Sequence, residues 1–303
     1  WGGIRDGWGK GVEEQRQEEA ARANAPAKSG ESPRERRLAE IEPIAGRANV
    51  STDGAMMRVR GEGWKEVKVT AISEVVVKTA GERTAKEGQP SRRDEDPLVE
   101  LIRHSYQAGL WDADTMCLHQ YAEGLRRGVD HCQRLGSVND GAVWIDRITE
   151  TNFPGIQQIV DWSHGSGKLW LVANEVLGQG SSGAKEWTEK QLNLLWVGGV
   201  AEVVTDLAKL NLKQDRYPDE VQQAEGYFDT RREKMGYDRF RAEGYPIGSG
   251  TVESAANTVV HHRMKRPGQG WQRDNGQGML AGLSELHSGR FDRAWQSILT
   301  SSG

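Results

Sequence analysis

The sequence predicts an α/β fold, a sheet with flanking helices that gives way to an all-helical block, and three observations carry that prediction. Two β-rich runs, Val50 to Val59 and Trp64 to Val77, are joined by the turn-forming Arg60-Gly-Glu-Gly63 and read as a hairpin. Between Leu98 and Leu177 strand-like runs alternate with helical patterns, an order that implies parallel crossovers. From about Gly165 to Gly244 the pattern is helical, and Val200, Val203, Val204, Leu207 and Ala208 follow the stripe of one helix face.

Taken in order, residues 1–47 are Gly-rich, then rich in Glu, Gln, Arg and Ala, then Pro- and Ser-containing, with nine basic and nine acidic side chains that cancel. They read as a linker containing one exposed helix near Val12 to Asn24. The chain starts at Trp1 and not at Met, which reads as a missing upstream portion. After the hairpin, residues 79–97 gather Gly, Arg, Glu and Pro and read as an exposed loop or as disorder. Leu98 to Tyr106 is a candidate third strand, and Asp112 or Asp114 can cap a helix that runs to Arg127 and closes at Gly128. Leu135 to Asn139 reads as a short strand that ends at Asp140-Gly141 and turns into a helix. Ile156 to Asp161 is another strand, followed by Trp162-Ser-His164 and a helix through Leu177. The domain boundaries that result are a linker over 1–47, a first core part over 48–164, a helical insertion over 165–244 and a last core part over 245–303.

Composition excludes several classes. No apolar run approaches the roughly 20 residues that a membrane span needs, so a soluble protein with no membrane partner is expected. Cys117 and Cys132 are too few and too far apart for a disulfide scaffold or a zinc ribbon, as suits a reducing cytosol. The net charge of -4 does not mark a nucleic-acid binder, but residues 254–273 hold Arg263, Lys265, Arg266 and Arg273 with no Asp or Glu.

Three acids stand beside glycine at positions where acids are unexpected or exposed to ligand. Asp53 interrupts a strand-like run and precedes Gly54; Asp140 ends a strand, where open α/β sheets place their ligands; Glu253 falls in the first turn of a helix that Ser249 or Thr251 can cap. Singly they fit a surface turn, a helix cap and a solvated acid. Together they fit a site in which carboxylates are held near one another by divalent cations, with magnesium favoured by carboxylate, water and phosphate oxygens.

Several stretches resemble the ISKra-type insertion-sequence transposases. They are Ser51-Thr-Asp-Gly-Ala-Met56, Gly61-Glu-Gly-Trp-Lys-Glu-Val-Lys68, Ser105-Tyr-Gln-Ala-Gly-Leu-Trp111, Tyr121-Ala-Glu-Gly-Leu-Arg-Arg127, Val138-Asn-Asp-Gly-Ala-Val-Trp-Ile145, Phe153-Pro-Gly155, Asp161-Trp-Ser-His164 and Ile247-Gly-Ser-Gly-Thr-Val-Glu-Ser254. The resemblance covers roughly residues 48–300 in the family's order. It implies an RNase H-like mixed sheet, with Asp53, Asp140 and Glu253 as catalytic and metal-binding acids for two Mg2+ or Mn2+ ions, and a helical insertion before the Glu-bearing helix. It also matches Asp161 and His164 to the Asp-x-x-His signature of mutator-like relatives, with Asp161 in a supporting role and His164 toward DNA. The chain departs from the family at Ser163, where an aromatic is expected, and at Gly165-Ser-Gly167, where a helix-favouring run is expected.

The expected activity is metal-dependent cleavage and strand transfer of DNA element ends, with DNA ends and target as partners, a homodimer or higher oligomer on DNA, and a cytoplasmic, nucleoid-associated location. Arg263, Lys265 and Arg266 are candidate phosphate contacts, which His261 and His262 can join. Trp162, Trp170, Trp187 and Trp196 fit core positions or base stacking, and Trp271 an anchor for the following helix. Two other readings stay open, a non-catalytic DNA-binding remnant and a structure-selective nuclease on the same fold.

Overall fold

The computed structural model describes residues 2–26, 43–78 and 96–301. The loop expected over 79–97 therefore lies, except for its last two residues, outside the described residues. The five strands are β1 (Arg47–Val59), β2 (Gly63–Lys78), β3 (Leu98–Gly109), β4 (Arg134–Asn139) and β5 (Gln157–Val160), ordered β3-β2-β1-β4-β5 in one sheet. β1, β2 and β3 are antiparallel neighbours, whereas β4 runs parallel to β1 and β5 parallel to β4. This is the mixed sheet of an RNase H-like α/β fold.

Local chemistry accounts for the connections. The hairpin turns at Arg60-Gly-Glu-Gly63 with its strands in register from Ala48 opposite Glu74 to Val59 opposite Gly63. α2 (Ala113–Arg127) starts where the Asp112 carboxylate accepts from the Thr115 N–H at 2.7 Å. It stops at Gly128, whose φ of 69° few other residues adopt cheaply. α3 (Val143–Asn152) fills the β4 to β5 crossover.

Strand alternation divides the core. Ala55, Met57 and Val59 face one side of the sheet, where they pack against Val252, Ala255, Ala256, Val259 and Met264. These belong to a helix that begins as α10 (Gly250–Ala255), widens into a π-type stretch over Ala256–His261 and ends as α11 (His262–Met264). Ala48 and Val50 face the other side with Phe153 and Ile156.

The helical block between β5 and α10 comprises α4 (Trp162–Leu177), α5 (Ser182–Trp196), α6 (Val200–Ala208), α7 (Asp219–Gln222), α8 (Ala224–Thr230) and α9 (Tyr237–Ala242), with non-helical chain over 209–218. It closes over Val138, Ile159 and Val160 with Phe228, Tyr237 and Phe240 fully buried, each such side chain contributing roughly 1.5–3 kcal/mol. Gly165 belongs to this packing: a Cβ there would lie 3.3 Å from the Tyr237 hydroxyl, so α4 continues unbroken through Gly165-Ser-Gly167.

The N-terminal helix corrects the sequence reading. α1 (Gly2–Asn24) is longer than expected and is not exposed: Val12, Ala20 and Ala23 are buried, as are Glu13 and Arg16. It lies against α2 and against α12 (Arg273–His287) and α13 (Phe291–Ser301). Arg16 reaches the β3 backbone, donating from Nη2 to the Ala108 carbonyl at 3.0 Å.

Candidate active site

The acids singled out in the sequence lie where β1 and β4 part and where α10 begins. Asp53 lies within β1 opposite Val69, on the sheet face that α10 covers. Its carboxylate accepts from the Gly54 N–H at 2.7 Å. Asp140 follows the last residue of β4, and its side chain accepts from the Ala142 N–H at 2.8 Å across the Gly141 turn, where φ is 85°. Glu253 projects, exposed, from the first turn of α10. Burial raises the Asp53 pKa above its ordinary value of 3.8, and the charges of Asp140 and Glu253 push it further up, against the Gly54 N–H and His164. Asp140 and Glu253 thus each stand within electrostatic reach of Asp53.

The tightest group is a different one. Ligand atoms of Asp161, His164 and Glu253 all lie within 4.8 Å of each other, and Asp53 and Asp140 are not part of that group. Asp161 is fully buried at the start of α4, where its Oδ1 accepts from the Ser163 N–H at 2.9 Å; His164 is exposed one turn on. Ser249 links the two elements. Its Oγ sits 2.7 Å from Asp161 Oδ2 and 3.1 Å from Glu253 Oε1, so the hydroxyl, expected as a helix cap, makes no bond to the helix backbone. One hydroxyl hydrogen serves one carboxylate at a time; the other presents lone pairs to the hydroxyl oxygen, an arrangement a shared cation or proton relieves. Facing the solvent side, Ser163, His164, Gly167, Lys168, Leu171 and Glu220 line a groove of ≈ 390 Å³.

Helices of the insertion hold the Asp140 turn. The Tyr227 hydroxyl donates to the Asp140 carbonyl at 3.1 Å, and Arg231 donates through Nε and Nη2 to the Gly141 carbonyl at 3.1 and 2.8 Å. The Tyr227 ring lies between the Lys168 ammonium at 4.7 Å and the Arg231 guanidinium at 4.5 Å from its centroid. Burial pushes the Tyr227 hydroxyl up to about 12, so it remains a donor. Neither residue carries a local sequence signal, because both read as polar positions on helices far from Asp140 in the chain.

Among the described residues no Lys or Arg forms an ion pair with Asp53, Asp140, Asp161 or Glu253. Of these residues, Asp161 and Glu253 with His164 could together hold a metal ion.

Arg263, Lys265 and Arg266 are exposed at the far end of the same helix, away from the acids. Lys265 stands 5.8 Å above the ring of Trp64, which is 55% exposed near the hairpin tip. Of the tryptophans in the helical block, Trp162, Trp187 and Trp196 are half-buried. Trp162 meets Trp196 and Tyr237 edge to face, and Trp196 carries the Arg241 guanidinium 3.6 Å from its ring centroid. Trp170 is 37% exposed. Trp271 anchors the approach to α12, with its Nε1 donating to the Met264 carbonyl at 3.3 Å. No helix among the described residues is long and apolar enough to cross a membrane. No family model matches the chain, and no curated protein matches it.

Proposed function

We propose that this chain is a metal-dependent DNA transposase of the DDE type, with Asp53, Asp140 and Glu253 holding the ions. The observation that supports the reading best is the approach of these three acids, far apart in sequence, from the middle of β1, the end of the parallel neighbour β4 and the first turn of α10, where Asp140 and Glu253 perturb Asp53. Divalent ions bound there supply Lewis acidity that activates an attacking oxygen and steadies a leaving one in phosphodiester cleavage and transfer.

The chain's own groups prepare the site. Asp53 and Asp140 are oriented by backbone N–H groups, and Tyr227 and Arg231 fix the Asp140 turn. Asp161 and Ser249 steer Glu253, and His164 stands where it can meet a phosphate or complete an ion's ligands. Arg263, Lys265 and Arg266 grip backbone phosphates away from the acids, with Trp64 beside them for a base or sugar face. This function places the protein on DNA in the cytoplasm of a prokaryotic cell, at the nucleoid, as a homodimer or larger assembly.

The Asp161, His164 and Glu253 group favours a second arrangement, in which one ion is held there and Asp53 and Asp140 act from beside it. Cleavage and strand-transfer assays on cognate element ends with Mg2+ or Mn2+ test the proposal. Asp53→Asn, Asp140→Asn and Glu253→Gln should each lower product by about 100-fold or more while DNA binding persists. Unchanged activity in the three variants would defeat it. A pure binder would shift DNA in a gel without cutting it, and a nuclease would cut branched DNA without joining ends.

A further inference from the structure

We infer that the Asn139 side chain is the positioning group that sets the spacing of the acids borne on β1 and β4. The inference deepens the metal-site reading above and rests on it.

The parallel ladder between β1 and β4 ends at Asn49 and Gly136, three residues short of Thr52 on one strand and Asn139 on the other. Beyond that pair the backbones part, and Asn139 bridges the gap with its side chain. Its Oδ1 accepts from the Thr52 N–H at 2.6 Å, and its Nδ2 donates to Ser137 Oγ at 2.6 Å, which fixes the orientation of the amide. Its carbonyl accepts from the Asp161 N–H at 2.7 Å. Thr52 precedes Asp53, Asn139 itself precedes Asp140, and the third bond is made to Asp161 directly. The buried side chain thus ties β1 to β4, and the main-chain carbonyl adds the turn after β5.

The choice of a neutral amide has a physical reason. A backbone ladder continued to this point would hold β1 and β4 at sheet spacing, about 4.8 Å, whereas a side chain inserted between them holds them further apart. A cationic bridge would do the same but would cancel the negative field at the acids. An amide supplies the acceptor that the Thr52 N–H needs at a site only 1% exposed, and adds no charge. Around it the pattern repeats: Thr52 Oγ1 lies 3.0 Å from Thr70 Oγ1 and accepts from Gln120 Nε2 at 2.9 Å, and Asn152 Nδ2 donates to Gln120 Oε1 at 2.8 Å.

The test is Mn2+ titration of the purified chain by calorimetry, beside thermal unfolding, for Asn139→Ala, Asn139→Asp and Leu212→Ala. Asn139→Ala should weaken Mn2+ binding about 10- to 100-fold, the range seen for groups that orient metal ligands. Asn139→Asp retains an acceptor for the Thr52 N–H and should recover the affinity. Leu212→Ala, a core truncation in the helical block, should lower the midpoint of unfolding without moving the affinity. Wild-type affinity in Asn139→Ala overturns the inference. If the unaltered chain takes up no Mn2+, the metal reading fails, and Asn139 is then judged in the metal-free protein. Faster amide exchange at Thr52 in Asn139→Ala, with Asp161 still protected by the main-chain carbonyl, supports its role, and unchanged protection at Thr52 overturns it.

Discussion

Around Asn139 the buried side chains that bridge β1, β2, β4 and α2 are neutral: Thr52, Thr70, Gln120, Ser137 and Asn139. Where α1, α2, α12 and α13 meet, they are charged: Glu123, Glu285 and Glu13 against Arg16, Arg126 and Arg290. In the second region Glu123 accepts from Arg290 Nη1 at 2.9 Å, from Gln107 Nε2 at 2.9 Å and from Arg126, while Glu285 accepts from Arg290 Nε at 2.7 Å. The two regions solve the same problem, the burial of polar atoms, with opposite electrostatics. Where charge is compensated inside the protein, nothing is left to attract a ligand. Where neutral dipoles do the holding, the nearby carboxylates have no internal cation as partner, as the proposed metal site requires.

Removing charge should therefore have opposite effects in the two regions. The largest loss is expected for Glu123→Gln. Glu123 is completely buried, and without its charge the Arg126 and Arg290 guanidinium groups lose a partner they cannot replace with water. Breaking a buried pair from one side costs about 3–5 kcal/mol, and Glu19 and Glu285, which remain, place the expected loss near the lower end. Urea unfolding measures it. A loss below about 1 kcal/mol would mean that the network is not what fastens α1 and α13 to the core.

The pH dependence of stability sharpens the contrast. Burial alone would raise the Glu123 pKa, but Arg290 and Arg126 outweigh it and hold the carboxylate well below its ordinary 4.5. A depressed pKa contributes stability that is present above pH 4.5 and is lost as pH falls below it. Asp53 has the opposite sign. Its pKa is raised, so its contribution is full below pH 3.8 and declines as pH rises through the raised value. Thermal midpoints of the metal-free protein from pH 3 to 7 should show a steep acid limb that flattens in Glu123→Gln. An acid limb of unchanged slope in that variant would assign acid unfolding to other carboxylates.

These assignments also show which features the sequence made legible. The hairpin with Asp53 inside its first strand, α2, and the strand end at Asp140 rest on local signals: alternation, an Asp cap, a Gly stop, an Asp-Gly turn. α1 was misread because its buried face uses alanines and paired charges, and Glu13 and Arg16 look solvated until Glu285 and Ala108 are brought beside them by folding. Asn139 and Ser249 were hidden for a related reason. Asn139 reads as the last residue of a short strand and a Ser before Gly-Thr as a helix cap, while their partners Thr52 and Asp161 are 87 and 88 residues away.

The smallest effect has the most telling sign. Asp53→Asn keeps an oxygen for the Gly54 N–H and removes a carboxylate that burial, Asp140 and Glu253 all disfavour. Without divalent ions the variant should match or exceed the parent, by up to about 1 kcal/mol or roughly 2–4 °C, because a site shaped for a ligand is strained when its charge is unmet. With Mn2+ in excess the order should reverse. A ligand that binds only the folded state stabilises it by about 2.7 kcal/mol at 100 times its Kd, and Asp53→Asn forfeits that gain. Crossing of the two melting curves on adding Mn2+ would tie the raised pKa to cation binding. If Asp53→Asn instead destabilised the metal-free protein as Glu123→Gln does, Asp53 would belong with the compensated charges around Glu123.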